Sequence, residues 1–368
     1  MMKKHWALLL TFLLIFSILT GCNTVTSAGE EGVSLSAADA KVAFITDIGD
    51  VHDHGFNEYS YLGVQEFSEE TGTLCKYFQP ASQQEDDLLT CIEEAVAEEY
   101  DIIVMAGPLF GKPCLKAAKK NPGTLFLALA VTPEDMGTSL IPSNISLLIH
   151  KEEEAGFLAG YAAVADGYRE LGFLGGMDVA PVVRFGHGYI QGANRAAQEL
   201  GIRDVHMKYW YSDTFIPSEE ITEKMTGWFQ EGTEVIFSCG GAIYESALEA
   251  AEEEDGLLIG VDVDQSYISP RFITSATKSL SHTVNMALHA AAGNHLVWPD
   301  AYAGTCQSFG AAEECIGLPM ETSHFRNFSQ EMYDILYRAM LRDSFPIDGS
   351  SNPAHHPNTE YITVDWQN

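Results

Sequence analysis

Short apolar segments alternate with segments of helical periodicity through almost the whole chain, and this alternation limits the fold more than any other feature of the sequence. Alternating strands and helices are typical of parallel α/β units. The first set of predicted strands covers residues 42–46, 73–78, 101–106, 124–130 and 145–149. The second set covers residues 171–174, 205–211, 234–238, 257–261 and 272–279, followed by a late strand-like stretch that ends at residues 315–319 and a last strand at residues 361–364.

A break between the two sets lies near residues 150–154, and a helix follows it. Gly156 and Gly160 give this helix a small-residue face that is suited to close packing. About 330 residues follow the N-terminal region, which is more than one hydrophobic core usually covers. We therefore predict an α/β protein with two doubly wound lobes joined by a hinge of several strands. Residues 41–150 with about 268–307 are assigned to lobe 1, and residues 151–267 with about 308–368 to lobe 2.

An acidic loop, residues 47–57, follows the first predicted strand and leads into a helix. Asn57 is predicted to cap this helix, and Gly72 to end it. In doubly wound sheets the ligand crevice lies beyond the carboxyl ends of the parallel strands. The loop side chains expected at such a crevice are Asp47, Asp50, His52, Asp53, Phe56 and Asn57.

Three further loops also follow predicted strands, and they contain Gly107, Gly240 and Asp262 respectively. Glycine lets backbone N–H groups approach a ligand closely. Helix capping explains any one of these loops on its own. Their common position at strand ends favours a single ligand site.

Carboxylates and aromatic rings in these segments suggest the kind of ligand. A carboxylate accepts charge-assisted hydrogen bonds from two neighbouring hydroxyls, as in a sugar cis-diol. Phe56 and Phe215 offer flat faces on which a ring can stack, with core packing as the alternative role for each.

Several function classes find no support in the sequence. GxSxG, HExxH and P-loop patterns are absent, so we predict no enzyme activity. The chain has no CxxC pair, which disfavours zinc, and we predict neither another metal site nor a cofactor. Acidic residues outnumber basic ones 52 to 20, which disfavours nucleic acid as a partner.

The N-terminus resembles a bacterial lipoprotein signal. Lys3 and Lys4 precede an apolar run that ends at Leu-Thr-Gly-Cys22. The run has about 14 residues, fewer than the roughly 20 that cross a bilayer, which disfavours the alternative of a transmembrane helix. We predict cleavage after residue 21, lipid on Cys22, a flexible tether over residues 22–40, and a protein anchored at the extracytoplasmic face of the cell membrane.

Six cysteines remain besides Cys22. Export permits disulfides without requiring them. Cys306 and Cys315 are close enough in sequence to form a bridge, and reduced cysteines are the alternative.

Three groups of segments resemble the basic membrane protein family of bacterial lipoproteins, which are purine nucleoside receptor-like substrate-binding proteins of ABC transporters. They are residues 42–47 with 53–57, residues 171–178 with Arg184-Phe185, and residues 259–267. The resemblance runs in collinear order from about residue 41 to 320. The chain departs from the family pattern at His52, where asparagine is common, within residues 128–131, where an aspartate is common, and at Asp213, where glycine is frequent.

The resemblance implies a type I periplasmic-binding-protein fold with a nucleoside between the lobes. Phe56 matches a stacking residue, with Asp53 and Asn57 as its polar neighbours, and Phe215 matches the second aromatic residue. Asp262 matches the carboxylate that holds ribose hydroxyls. Lys278 matches a residue that makes a polar contact from the hinge side. Asp47, Gly107 and Gly240 complete the predicted set.

We therefore expect a monomeric receptor that captures a nucleoside, with a purine the first candidate, and delivers it to an ABC permease. A sensory receptor with the same fold, for a sugar-like or nucleoside-like signal, is the alternative. A nucleoside hydrolase that acts through the aspartates is a third hypothesis, which an assay for released ribose would reveal.

Overall fold

A computed structural model describes residues 40–47 and 49–367. The predicted signal sequence, most of the predicted tether and the predicted lipidation residue Cys22 lie outside this part of the chain. Within it, no helix combines the length and the apolar character that crossing a membrane requires.

Lobe 1 is built on a sheet of six parallel strands in the order β11-β5-β4-β3-β1-β2. The strands are β1 (Lys41–Ile45), β2 (Leu74–Phe78), β3 (Ile102–Ala106), β4 (Leu125–Leu129), β5 (Ile145–His150) and β11 (Thr305–Phe309). All residues of β3 and β4 are buried. Their continuous apolar runs fit central strands that are covered on both faces by helices.

Lobe 2 is built on a sheet of seven strands in the order β12-β10-β9-β8-β6-β7-β13. The strands are β6 (Glu170–Gly175), β7 (Val205–Tyr211), β8 (Val235–Cys239), β9 (Leu257–Asp262), β10 (Phe272–Lys278), β12 (Ile316–Gly317) and β13 (Ile362–Trp366). All neighbours are parallel except β12, which pairs antiparallel with β10.

The helices connect and cover these strands. They are α1 (Phe56–Thr71), α2 (Glu85–Ala97), α3 (Gly111–Lys120), α4 (Pro133–Met136), α5 (Glu152–Asp166), α6 (Ala180–Leu200), α7 (Glu219–Gln230), α8 (Tyr244–Glu253), α9 (Leu280–Ala292) and α10 (Gln330–Leu341).

Within the described residues the chain passes between the lobes three times: after β5, after β10 and after β11. The three connections are hydrogen-bonded to one another. Lys151 N donates to Phe309 O at 2.8 Å, and Ser279 N donates to Cys315 O at 2.9 Å. Such a multi-strand hinge is the geometry that permits lobe closure.

The fold class, two α/β lobes with predominantly parallel sheets, is confirmed. The predicted strands from residue 42 to residue 279 are observed with ends that differ by at most one residue. The last predicted strand, residues 361–364, corresponds to β13.

Three details differ from the predictions. β10 was assigned to lobe 1 by the predicted boundary near residue 268, but it pairs with β9 in the lobe 2 sheet. Asn57 does not cap α1: Gly55 occupies the cap position, and the helix begins at Phe56. β11 was not predicted as a strand, because it lacks a continuous apolar run and only its last residue is buried.

The small-residue face of α5, which was predicted to suit close packing, packs against α6. A Cβ atom at Gly156 would overlap the carbonyl oxygen of Phe185, and one at Gly160 would overlap that of Tyr189. Gly188 and Gly192 of α6 approach α5 backbone oxygens in the same way. The two helices are therefore in backbone contact, which fixes the start of α6 relative to the hinge.

Candidate functional site

A cleft lies between the two lobes and contains about 510 Å³ of space free of protein atoms, part of which is open solvent. Lobe 1 contributes Asp47, Asp53, Phe56, Gly107, Pro108 and Ala130 to its wall. Lobe 2 contributes Val179, Pro181, Val182, Phe185, Phe215, Cys239, Gly240, Gly241, Val261 and Asp262, and Lys278 lies at the second crossing.

The lobes also touch directly beside the cleft. Gln265 of lobe 2 donates a hydrogen bond from Nε2 to the carbonyl oxygen of His54 at 3.4 Å. The His54 ring lies edge-on to Tyr267, with ring centroids 6.0 Å apart. The two halves of the binding wall are thus close enough to enclose a ligand.

The acidic loop that follows β1 is held by its own side chains. Asp53 accepts four hydrogen bonds, from the backbone N–H groups of Gly55, Asn57 and Glu58 and from Asn57 Nδ2, at 2.9–3.1 Å. Asp53 therefore has the capping role that was predicted for Asn57, because its carboxylate satisfies free N–H groups in the first turn of α1. The side chain is buried, and burial raises the pKa of Asp53 against the opposing effect of these bonds.

Asn57 links the two aspartates of this loop. Its Nδ2 donates to Asp47 Oδ1 at 2.8 Å and to Asp53 Oδ2 at 2.9 Å, and its Oδ1 accepts from Asp47 N at 3.1 Å. Asn57 is buried behind the wall and is not among the lining residues. Its position indicates that it orients Asp47 and Asp53.

Asp47 faces the cleft next to the loop that follows β3. Burial raises the pKa of the Asp47 carboxyl to about 6, although hydrogen bonds from Asn57 and Gly49 lower it. Gly107 adopts a φ of +110°, and a Cβ atom there would lie 3.5 Å from Asp47 Cβ. The left-handed conformation explains the glycine, and the close approach brings the loops after β1 and β3 to one point.

Phe215 is seated on the lobe 2 wall by a group of glycines. A Cβ atom at Gly240 or at Gly241 would lie 2.9 Å from Phe215 atoms, and one at Gly176 would overlap its ring. Gly240 also adopts a φ of +141°. These glycines let the aromatic ring lie against the backbone at the ends of β6 and β8.

Asp262 and Lys278 form an ion pair at the hinge side of the cleft, with 2.8 Å between Asp262 Oδ1 and Lys278 Nζ. Both side chains are buried. Asp262 has a φ of +69°, a left-handed conformation that aspartate and asparagine tolerate better than most residues. The backbone at the end of β9 is therefore bent where the carboxylate meets the cleft.

The Lys278 ammonium lies between two aromatic rings, 5.0 Å from the centroid of Phe56 and 5.1 Å from that of Phe185. These distances are within the range of cation–π interactions. Phe185 was not among the predicted site residues. The Arg184-Phe185 pair of the family-like segment was the available signal for it.

Eight of the nine predicted ligand-contact residues thus line one cleft, with Asn57 directly behind them. Phe56, Phe215 and Asp262, on which the ligand hypothesis depends most, share this wall. Asp50 and His52 of the same loop are exposed and do not line it.

The described part of the chain offers no cluster of three or more His, Cys, Asp or Glu side chains arranged for a metal ion. Cys239 is the cysteine of the cleft wall, and burial raises its pKa well above the ordinary value. A thiol in this state stays protonated at neutral pH. Cys306 and Cys315, the pair considered for a disulfide, are both free.

Comparison with known proteins agrees with this architecture. Residues 40–340 match the family model Bmp, described as ABC transporter substrate-binding protein PnrA-like. An uncharacterized lipoprotein of Pyrococcus abyssi is 28% identical over 74% of this chain and 67% of its own length. Basic membrane protein A of Borreliella burgdorferi is 29% identical over 77% of this chain and 80% of its own length.

A third relative has a functional name. The ABC transporter nucleoside-binding protein BmpA of Lactococcus lactis is 28% identical over 68% of this chain and 71% of its own length.

Solved structures show the same fold. An ABC transporter solute-binding protein of Aeropyrum pernix superposes with a TM-score of 0.69 at 22% identity, over 84% of this chain and 88% of that one. An ABC transporter solute-binding protein of Conexibacter woesei superposes with a TM-score of 0.66 at 18% identity, over 84% of this chain and 99% of that one.

Proposed function

This chain belongs to the Bmp family of PnrA-like ABC transporter substrate-binding proteins, and from that premise we propose that its interlobe cleft captures an uncharged nucleoside, with a purine base the first candidate. The observation that carries the proposal is the meeting of Phe56, Phe215 and Asp262 on one wall. Phe56 comes from lobe 1 and Phe215 from lobe 2. Lobe closure would therefore bring an aromatic residue from each side towards a flat ring.

The sugar is assigned to the hinge side of the cleft. Asp262 has two carboxylate oxygens, of which Oδ1 meets Lys278. A carboxylate of this kind accepts hydrogen bonds from neighbouring hydroxyls, and such bonds are roughly twice as strong as neutral ones. Lys278 adds a donor for a ligand oxygen at the same place.

The base is assigned to the apolar part of the wall. Pro108 and Ala130 of lobe 1 and Val179, Pro181 and Val182 of lobe 2 provide contact surface without side-chain hydrogen-bonding groups. Ala130 follows β4 and lies within residues 128–131, where the family pattern described above commonly has an aspartate. Shape and stacking, more than a carboxylate at this position, are then expected to select the base.

The charge of the cleft favours nucleosides over nucleotides. Among the described lining residues, three carboxyl side chains, those of Asp47, Asp53 and Asp262, accompany one ammonium group, that of Lys278. A phosphate would meet more negative than positive charge in a partly buried site, where Coulomb interactions are strong. The ligand is therefore expected to be neutral.

Ligand binding by this protein is proposed to serve ABC transport. A substrate-binding protein of an ABC transporter acts with permease subunits on a small-molecule ligand. We propose that this one is monomeric, is tethered to the membrane through lipid on Cys22, and delivers the nucleoside from the extracytoplasmic face without breaking a bond in it.

Thermal unfolding with candidate ligands tests the proposal. Adenosine, guanosine, inosine, ribose and the corresponding nucleoside monophosphates are added to the protein that begins at residue 22. A nucleoside at 100 times its dissociation constant stabilises the folded state by about 2.7 kcal/mol. We expect a shift with at least one nucleoside and none with its monophosphate. The absence of a shift with every nucleoside would rule out this ligand class.

Substitution of Asp262 tests the sugar contact. Asp262→Ala is expected to abolish the nucleoside-induced shift while the fold persists. Asp262→Asn is the matched variant, since asparagine also tolerates the left-handed backbone but lacks the charge. Circular dichroism checks the fold of both variants. Full affinity in Asp262→Asn would place the sugar elsewhere.

A further inference from the structure

Three consecutive glutamates, Glu152 to Glu154, begin α5 directly after the first crossing between the lobes. The positive end of a helix dipole favours carboxylates in the first turn. The three side chains nevertheless have different surroundings. Glu154 accepts a hydrogen bond from Ala311 N at 2.7 Å, which ties α5 to the third crossing. Glu152 and Glu153 point into the protein.

Glu152 is completely buried between two cations. Its Oε2 accepts from Arg184 Nε and meets Arg184 Nη2, both at 2.7 Å. Its Oε1 lies 3.5 Å from Lys278 Nζ and has no hydrogen-bond partner. Glu152 does not line the ligand cleft. One oxygen of a buried carboxylate is thus directed to the ammonium group that does line it.

Lys278 is therefore held from two sides. Asp262 contacts it on the cleft side at 2.8 Å, and Glu152 faces it from inside the hinge at 3.5 Å. Burial by itself lowers the pKa of Lys278, but the charges of Asp262 and Glu152 outweigh burial and raise it. Two other titratable side chains interact with Lys278. Burial and the Lys278 charge lower the pKa of His150 to about 3, so its ring is neutral. Burial raises the pKa of Cys239 well above the ordinary value, so its thiol is neutral as well.

We infer that Glu152 is a positioning residue for ligand binding: it holds the Lys278 ammonium group in the cleft without touching the ligand itself. The inference rests on the proposed role of Lys278 as a ligand contact. Glu152 begins α5 after the first crossing, and Lys278 ends β10 at the second. Their pairing therefore joins the ligand wall to two of the three hinge connections.

The matched pair of variants is Glu152→Gln and Glu153→Gln. Glutamine keeps an oxygen for Arg184 in both cases and removes the charge. Glu153 Oε2 lies 3.7 Å from Arg184 Nε, and no ion pair joins Glu153 to Lys278. Only the first substitution therefore removes a charge that faces the ammonium group.

Amine labelling without ligand provides the first readout. A brief treatment with acetic anhydride labels the neutral form of a lysine, and mass spectrometry compares Lys278 with the surface residue Lys119. Without the Glu152 charge the pKa of Lys278 falls, so a larger fraction of this lysine is neutral. We expect labelling of Lys278 to rise about tenfold in Glu152→Gln, as for a pKa lowered by about one unit, and to stay at the wild-type rate in Glu153→Gln.

Affinity for inosine and guanosine, measured by calorimetry, provides the second readout. Glu152→Gln is expected to raise Kd about tenfold, whereas Glu153→Gln keeps Kd within about twofold of the wild-type value. Lys278→Met and the double variant complete a cycle. If Glu152 acts through Lys278, Glu152→Gln has no further effect on Kd once Lys278 has been replaced by methionine.

The outcomes separate the two proposals. Unchanged labelling of Lys278 in Glu152→Gln overturns the positioning role, and so does increased labelling with an unchanged Kd. Equal losses of affinity in the wild-type and Lys278→Met backgrounds overturn it as well, because they indicate a general structural effect. If the wild-type protein binds neither nucleoside, the proposed function has failed for these ligands, and the labelling result alone decides whether Glu152 holds Lys278.

Discussion

At the scale of single residues, Glu152 and Glu153 show how the same side chain acquires opposite properties. Burial raises the pKa of a carboxyl, but the charges of Arg184 and Lys278 outweigh it at Glu152 and lower the pKa there. At Glu153 burial and the neighbouring Glu152 charge raise the pKa to about 7. The sequence shows three adjacent glutamates, and only the positions of the cations distinguish them.

The raised pKa of Glu153 gives a prediction for stability against pH. The folded protein holds this proton more tightly than the unfolded chain, whose glutamates titrate near pH 4.5. Stability from the protonated form is therefore fully present below about pH 4.5 and is lost as the pH rises to about 7. Glutamine is always neutral. Glu153→Gln should match the wild-type protein near pH 4.5 and exceed its free energy of unfolding by about 1 to 3 kcal/mol at pH 8.

Urea denaturation of both proteins at pH 4.5 and pH 8 measures this difference. Thr90→Ala, a change on the exposed surface of α2, controls for general effects of pH. A Glu153→Gln variant that is equally stable or less stable at pH 8 would contradict the assigned ionisation.

At the scale of secondary-structure elements, the contact between α5 and α6 depends on glycine. Backbone atoms of one helix occupy the space where Cβ atoms of the other would lie. Backbone cannot rotate away as a side chain does, so an added methyl group must separate the helices. Overpacking of this kind typically costs about 1–3 kcal/mol.

Gly160→Ala is accordingly expected to lower the free energy of unfolding by about 3 kcal/mol. Gly227→Ala is the matched control, because Gly227 lies within α7 and an added Cβ meets no atom within 4 Å. Alanine there should be neutral or stabilising by up to about 1 kcal/mol, since it favours the helix. Chemical denaturation compares the two, and equal effects would refute the close-packing argument.

The C-terminal segment is an element that extends past the family match, which ends at residue 340. It places Phe345 on Phe157 of α5, with ring centroids 4.9 Å apart. It then runs beside α6, where Asp348 N donates to Gln191 Oε1 at 2.8 Å. Finally it adds β13 next to β7. The segment thereby covers what would otherwise be an exposed strand edge of lobe 2.

At the scale of the whole molecule, charge is the dominant global property. The sequence carries a formal net charge of −32 at pH 7. Many acidic side chains lie exposed on helices, among them Glu219 and Glu223 of α7 and Glu245, Glu249 and Glu253 of α8. Self-repulsion of this size opposes the compact state.

Salt should therefore stabilise the protein. Raising NaCl from about 10 mM to 300 mM shortens the screening length to less than about 10 Å. We expect the melting temperature at pH 7.5 to rise by several degrees. At about pH 4.5, where a large share of the carboxylates is protonated, the same salt step should have a smaller effect. A melting temperature that is independent of salt at pH 7.5 would mean that repulsion is already balanced locally.

The sequence by itself determined the α/β class, most strands of both lobes and the loops at strand ends that contribute to the cleft wall. The reason is local: apolar runs of strand length define parallel strands, and loops at their carboxyl ends meet at one edge of a sheet. For this reason the sequence alone predicts that four residues at strand ends share one site: Asp47, Gly107, Gly240 and Asp262.

Tertiary structure decided which sheet β10 joins, why the Asp53 carboxylate accepts the free N–H groups at the start of α1, and how Glu152 reaches Lys278. Each depends on partners that are distant in the chain or on directions of side chains around a turn. The Glu152–Lys278 pair spans two crossings of the hinge. Hydrophobic periodicity carries no information about such pairs, because it reports which face of an element is buried and not which charged group lies opposite.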